Sequence, residues 1–186
     1  MDSQHKYQRK LISVDQALSL IKSNYEVVSA LAASEATEVM SRLHTIKDRV
    51  EGVSVVTCLP MQDYEFFAKP NMKDHFFHEA WFYSPGIRKA HREAGTSSFV
   101  PNHLHAAGSD RLSFRKPNVF LGSCTPPNRH GYVSLSLSAT YEREMIEAAD
   151  VAILEVNENL PFTYGDTLVH LDEIDYMIES HRAIPE

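Results

Sequence analysis

Apolar and polar positions alternate along the chain in short blocks that change period. Ser13-Val-Asp-Gln16 is a capping-box pattern ahead of Ala17, Leu18, Leu20 and Ile21, which predicts a helix start. Glu26-Val-Val-Ser-Ala-Leu31 is a short apolar run of the kind a buried strand carries. Ser34 is placed to cap a helix bearing Val39, Met40, Leu43 and Ile46, and Val53-Ser-Val-Val-Thr-Cys58 is a strand stopped by Pro60. From 61 to 74 the pattern lapses, and Asp63, Pro70 and Asn71 predict a loop.

The second half repeats the rhythm. His75 to Tyr83 predicts an aromatic-rich strand, and Ser84-Pro85 sets serine at an N-cap and proline at the first helical position of a helix that Gly95 ends. Phe99-Val100-Pro101 predicts a short strand, with a helix near His105 to Leu112. Val119 to Gly122 and Tyr132 to Leu137 predict strands separated by the turn-forming Thr125-Pro-Pro-Asn-Arg-His-Gly131. Ser138 is placed to cap a helix through Ala149, and Val151-Ala-Ile-Leu-Glu-Val156 is the most strand-like run in the chain. Thr167 to Leu171 and Ile174 to Ile178 follow. Strands alternating with helices at this spacing predict an α/β fold with an open, mostly parallel sheet flanked by helices. Ligands in such sheets gather beyond the carboxyl ends of the strands, so the loops after Leu31, Cys58, Gly122 and Val156 are the places to look.

Composition narrows the classes. The chain has 186 residues, enough for one domain with its own core. Its net charge of −7, with no basic block beyond Lys6 to Lys10, argues against nucleic acid as a partner. The apolar runs are too short to cross a bilayer, and the polar Met1-Asp-Ser-Gln-His has no signal-peptide core. Two cysteines cannot make a disulfide framework and fit a reducing compartment, so a cytoplasmic location is expected.

The candidate chemistry is sparse. No G-x-G-x-x-G and no Walker A lysine loop is present, which argues against a Rossmann dehydrogenase or a P-loop NTPase. Ten histidines include His75-x-x-His78 and His103-x-His105, but without H-E-x-x-H or C-x-x-C the reading is solvated or hydrogen-bonded histidines, and no metal is expected. Cys124 follows a strand and His130 could serve it as a base, yet the prolines between them speak for a turn and a buried thiol. Glu35 follows a buried strand, where a helix-start role is favoured and a place in a site at the strand's end is the alternative. Pro126 to Gly131 form either a rigid connection or a preorganised wall for a ligand.

Four ordered segments carry a resemblance. Pro126-Pro-Asn-Arg-His-Gly-Tyr-Val-Ser-Leu135 resembles the S-P-P-D-x-x-G-Y-x-S-L-G segment of the acetyl-CoA hydrolase/transferase family, which includes 4-hydroxybutyrate, butyrate and acetate CoA-transferases. Phe99-Val-Pro-Asn-His-Leu104 is similar to the family's Y-V-P-x-x-L, and Ala148-Ala-Asp-Val-Ala-Ile-Leu-Glu-Val-Asn157 to its A-A-K-x-V-I-x-E-V-N. Asn159 to Asp166 with Val169 to Asp175 resembles N-x-P-x-x-x-G-D-x-x-I-H-x-S-E-I-D. The resemblance runs from about Val14 to Glu186 and is densest after Phe99.

It implies a CoA-transferase-like α/β domain, with residues 1–186 as the N-terminal half of a two-domain enzyme. The family's catalytic glutamate and glycine-rich CoA segments lie in the C-terminal half, beyond Pro185-Glu186, so no catalytic residue is expected here and the chain alone is expected to be inactive. The implied reaction moves CoA, a substrate, between an acyl-CoA and a small carboxylic acid through a glutamyl-CoA intermediate. The implied partners are the C-terminal domain, acyl-CoA and a short-chain carboxylate, and a half lacking its mate is expected to form a homo-oligomer. Ser34, Glu35, Asn102, Pro127, Asn128 and Tyr132 are the candidate substrate-binding residues. Local departures fall near the first strand: Asn24-Tyr25 where the family often has Gly-Asp, Glu35-Ala36 where it often has Glu-Pro, and Leu31 where a member can carry histidine. A self-sufficient thioester hydrolase using Glu35, or Cys124 with His130, and a non-catalytic binding module are the competing readings.

Overall fold

The computed structural model describes residues 3–184. Among the described residues nine strands form: β1 (Glu26–Ser29), β2 (Val53–Cys58), β3 (Phe76–Phe82), β4 (Ser97–Phe99), β5 (Val119–Cys124), β6 (Tyr132–Ser134), β7 (Val151–Asn157), β8 (Leu168–His170) and β9 (Tyr176–Ser180). Seven α-helices accompany them among the described residues, besides 3-10 turns: α1 (Ser3–Lys10), α2 (Val14–Leu20), α3 (Thr37–Arg42), α4 (Glu65–Ala68), α5 (Pro85–Glu93), α6 (Ala107–Phe114) and α7 (Glu142–Ala148). The main sheet has the order β4-β3-β2-β1-β5-β7-β9, and every pairing in it is parallel. Strands β6 and β8 form a separate antiparallel pair.

Both faces of the sheet are covered, which explains why its strands read as unbroken apolar runs. Successive residues point to opposite sides. Val27, Val53, Val55, Val119 and Ile153 face a layer holding Ala17, Val39, Met40, Phe66 and Ile87 from α2–α5. Val28, Val56, Phe120, Ala152 and Leu154 face Tyr7, Ala107, Tyr141 and Met145 from or beside α1, α6 and α7. A fully buried side chain of this size contributes about 1.5–3 kcal/mol, so these layers carry most of the driving force.

The predicted capping box at Ser13 is present, with Gln16 donating its amide to Ser13 and its side chain accepting from the Ser13 amide. Ser84 caps α5 by accepting from the Ile87 amide, and Gly95 ends that helix at φ +61°. Elsewhere the local signals were overruled. Ser34 caps nothing: the chain makes a single 3-10 turn at Ala32–Ser34, and α3 begins only at Thr37 with Ala36 at its N-cap. The Val39 amide in the first turn of α3 is instead satisfied by Glu155 of β7, whose Oε1 accepts at 2.9 Å. Ser138 likewise caps no helix, because α7 starts at Glu142 and the Ser138 hydroxyl donates to the Glu142 carboxylate at 2.7 Å. The expected loop over 61–74 contains α4, where Phe66 and Phe67 are fully buried. The basic Lys6-to-Lys10 stretch forms the end of α1, with Tyr7 buried beneath it. Predicted strand ends moved by one or two residues in most cases, with β9 starting at Tyr176 instead of Ile174. Pro185-Glu186 lie outside the described residues.

Candidate active site

The strand order fixes one special place. From β1 the chain winds outward through β2 and β3 to β4, whereas β5, β7 and β9 extend in the opposite direction. The connections leaving β1 and β5 therefore diverge, and in open sheets of this kind the ligand crevice lies beyond the carboxyl ends of the strands at such a point. The backbone there is strained. Ala32, after β1, has φ +48°, and Leu59, after β2, has φ +56°. Neither residue is glycine, and such conformations cost on the order of 1–3 kcal/mol each.

The turn after β1 is held from several elements. Ser123 of β5 donates its hydroxyl to the Ser34 carbonyl at 3.0 Å, and the Leu31 amide donates to the Glu142 carboxylate at 2.9 Å. Tyr141 donates its phenol to the Ser29 carbonyl at 2.9 Å. Arg182, from the segment after β9, donates Nη2 to the carbonyls of Ala33 and Glu35 at 3.1 and 2.7 Å. Inside this frame the Ser34 hydroxyl is buried without a hydrogen-bond partner.

Glu35 is the titratable centre. Its residue is 2% exposed, and its Oε1 accepts from the Met61 amide, in the loop after β2, at 3.2 Å. The expected helix-start role does not hold, since α3 begins two residues later and the carboxylate addresses the β2 loop. Burial raises the Glu35 carboxyl to about 7, against the opposing pull of Tyr64, the Met61 amide and Arg182. Burial and the adjoining Glu35 charge push the Tyr64 phenol up in turn. Glu155, fully buried in β7, is raised by burial to about 8, and its Oε2 has no partner. A carboxyl poised near neutrality can exchange a proton at working pH, or when protonated donate a hydrogen bond to a bound carboxylate.

The other candidates sit differently. Pro127 and Asn128 lie in the turn after β5, and Asn128 shapes that turn by accepting the amides of His130 and Tyr132 at 2.9 and 3.0 Å. Gly131 takes φ +81° as the turn requires. Tyr132 stands edge-on to His170 on β8, with ring centroids 4.9 Å apart. Asn102, after β4, lines a different recess of about 360 Å³ with Trp81, Val100 and Arg111. The structure therefore joins Ser34 and Glu35 in one turn and groups Pro127, Asn128 and Tyr132 in another, while Asn102 belongs to the sheet's outer edge.

The cysteine and histidine expectations also receive their geometry. Cys124 is fully buried and burial drives its thiol up, while Cys58 is raised to about 11 by burial and the Glu142 charge, so neither is poised as a thiolate. His78 is a core residue, stacked on Phe67 and hydrogen-bonded to Thr57 and Ser97, and burial lowers it to about 3. Among the described residues no three potential ligands come together as a metal group.

The comparison with known families now bears on this arrangement. Residues 1–185 match the acetyl-CoA hydrolase/transferase N-terminal domain. The chain belongs to that family. Relatives of this family member include the 4-hydroxybutyrate coenzyme A transferase of Clostridium kluyveri, 31% identical over the whole chain, which spans 43% of that protein. The succinyl-CoA:cyclohexane-1-carboxylate CoA transferase of Geobacter metallireducens is 28% identical, with 96% of this chain matched to 40% of its length. Among solved structures, RipA from Yersinia pestis superposes with a TM-score of 0.92 at 23% identity, covering all of this chain and 46% of that one. The chain thus spans less than half the length of these relatives. No described helix is long and apolar enough to cross a membrane.

Tyr64, Ser123, Glu155 and Arg182 were not singled out in the sequence, yet they frame Glu35 and Ser34. One of them left a trace: Glu155 is the lone carboxylate inside the apolar run Val151 to Val156, and a charge in a strand covered on both faces needs a local reason. Arg182 had no such signal, because its partners are main-chain carbonyls almost 150 residues earlier.

Proposed function

We propose that this chain forms one wall of the active site of a CoA-transferase that moves CoA between an acyl-CoA and a small carboxylic acid of the 4-hydroxybutyrate, butyrate or acetate type. The nucleophile is a glutamate of the C-terminal half, the partner domain of this chain. Its carboxylate attacks the thioester carbonyl, forming a mixed anhydride and releasing CoA thiolate. The thiolate attacks the glutamyl carbonyl, expelling the first carboxylate and leaving a glutamyl-CoA thioester. The acceptor acid then repeats the sequence in reverse. Water would divert either acyl intermediate to hydrolysis, so the crevice must exclude it.

The observation that carries this reading is the buried Glu35 in the strained turn at the switch point between β1 and β5. Held near neutrality, it can be protonated when an anionic acid enters, donating to the substrate carboxylate instead of repelling it. Ser34, with a buried hydroxyl free to donate, adds a second contact. Pro127, Asn128 and Tyr132, in the turn after β5, and Asn102, beside the outer recess, complete the candidate substrate contacts.

The test is reconstitution. The chain alone should give no transfer from butyryl-CoA to acetate, and co-expression with a matching C-terminal half should restore it. Robust transfer by the chain alone would refute the division of labour. Thiol release without acetate dependence would favour a thioester hydrolase, for which Glu35 at about 7 would be the base.

A further inference from the structure

A chain of contacts runs from the far edge of the sheet to the turn that bears Glu35. Arg182 follows β9 by two residues, and its main-chain carbonyl accepts from the side-chain amides of Asn157 and Asn159, each at 3.0 Å. Those asparagines stand at the carboxyl end of β7 and just beyond it. From this anchored position the Arg182 guanidinium reaches the Ala33 and Glu35 carbonyls, the two that bracket Ser34. Its Nε is buried without a partner, as is Oε2 of Glu155, whose other oxygen holds the first turn of α3.

We propose that Arg182 is a positioning residue for Glu35: anchored by Asn157 and Asn159, its guanidinium grips the turn at two carbonyls, so the segment leaving β9 sets the shape of the crevice wall. Both bonds come from Nη2, whose two hydrogens are fixed in the guanidinium plane at the end of a long side chain; a lysine ammonium, a compact charge on a flexible stem, has no such fixed plane. The same cation favours the ionised form of Glu35, which ties the clamp to the carboxyl's proton affinity as well as to its place. The inference rests on the reading of Glu35 as part of the crevice wall, but its readouts need no transferase activity.

The test uses the full-length protein carrying Arg182→Gln or Arg182→Lys. Hydrogen exchange over the peptide holding the Ser34 and Glu35 amides, which donate to Leu31 and Ala32 carbonyls, reports the turn. The infrared carbonyl band of protonated Glu35, identified by its loss in Glu35→Gln, reports the titration. Arg182→Gln should speed exchange in that peptide by about tenfold, the factor expected for one charge-assisted hydrogen bond, and should move the Glu35 midpoint upward. Arg182→Lys should keep the midpoint near that of the parent while exchange stays fast. Unchanged exchange and midpoint in Arg182→Gln would overturn the proposal, as would lysine restoring both. Should glutamine at 182 prevent folding, the lysine variant alone still decides: parental exchange in it removes the two-carbonyl clamp. Expected shifts in a protein that transfers no CoA even when co-expressed with a matching C-terminal half would keep the clamp and refute the crevice's assigned role instead.

Discussion

Replacing Glu35 with glutamine isolates the cost of keeping a carboxyl in the crevice. Burial raises this group from 4.5 to about 7. Each factor of ten in proton affinity is worth about 1.4 kcal/mol, so ionising Glu35 in the folded state costs about 3 kcal/mol more than in the unfolded chain. Because the folded value is the higher one, both states hold the proton below 4.5 and nothing is lost there. As pH climbs towards 7 the unfolded chain releases its proton first, stability falls, and above 7 the loss is complete. Glutamine keeps an oxygen for the Met61 amide and never ionises. Glu35→Gln should therefore match the parent near pH 4 and exceed it by about 3 kcal/mol at pH 8. Urea unfolding followed by circular dichroism across that range measures the difference, with equal m-values showing that the same surface is exposed. Glu155, also raised, contributes in the same direction to both proteins and cancels in the comparison. A difference flat with pH, or a variant less stable than the parent at pH 8, would refute the reasoning.

Two further outcomes follow from the same geometry. Arg111 of α6 binds both Glu26, fully buried at the start of β1, and Glu79 of β3, so Arg111→Ala strands a buried carboxylate with only Arg115, at 3.4 Å, left beside it; the loss should be about 3 kcal/mol by chemical denaturation, and under about 1 would mean that water or Arg115 replaces the ion pair. Cys124 and Cys58 should both resist iodoacetamide in the native protein and react fully in urea, as read by mass spectrometry; rapid native labelling of Cys124 would return the thiol to the list of nucleophiles.

The sheet was legible because its physics is local and repeated. Apolar runs such as Val53 to Cys58 and Val151 to Val156 are long enough to be buried on both faces, and helices between them dictate parallel pairing. The Ser13 and Ser84 caps were legible for the same reason, each being satisfied by an amide three residues ahead. The start of α3 was not. Ser34 looked like its cap, but Glu155 supplies the acceptor from a strand 116 residues away in sequence, leaving Ser34 free to turn inward. The same substitution of a distant partner for a local one misassigned Glu35, whose carboxylate answers the Met61 amide instead of α3. The sequence pattern found the place, the end of the first strand, and lacked the partners that decide what the residues there do.

Those partners reveal how unevenly local cost is spread over the sheet. At its amino end the buried charges are compensated: Glu26 and Glu79 share Arg111, Ser54 donates to Glu79, and the Asn118 side chain accepts the Glu26 amide. Positive φ occurs at both ends, at Asn24 before β1 and at Ala32 and Leu59 after β1 and β2; at the carboxyl end the Ser34 hydroxyl and Glu155 Oε2 also lack partners, and Glu35 keeps a carboxyl out of water with one amide contact and a neighbouring phenol. Each such feature costs on the order of 1–3 kcal/mol, against a total stability of about 5–15 kcal/mol for a domain. Packing alone gives no reason for the asymmetry, since both ends share the same strands and the same two covering layers. The proposed function supplies one: in a wall that meets an anionic substrate, polar atoms left unsatisfied by the protein would be satisfied by the ligand.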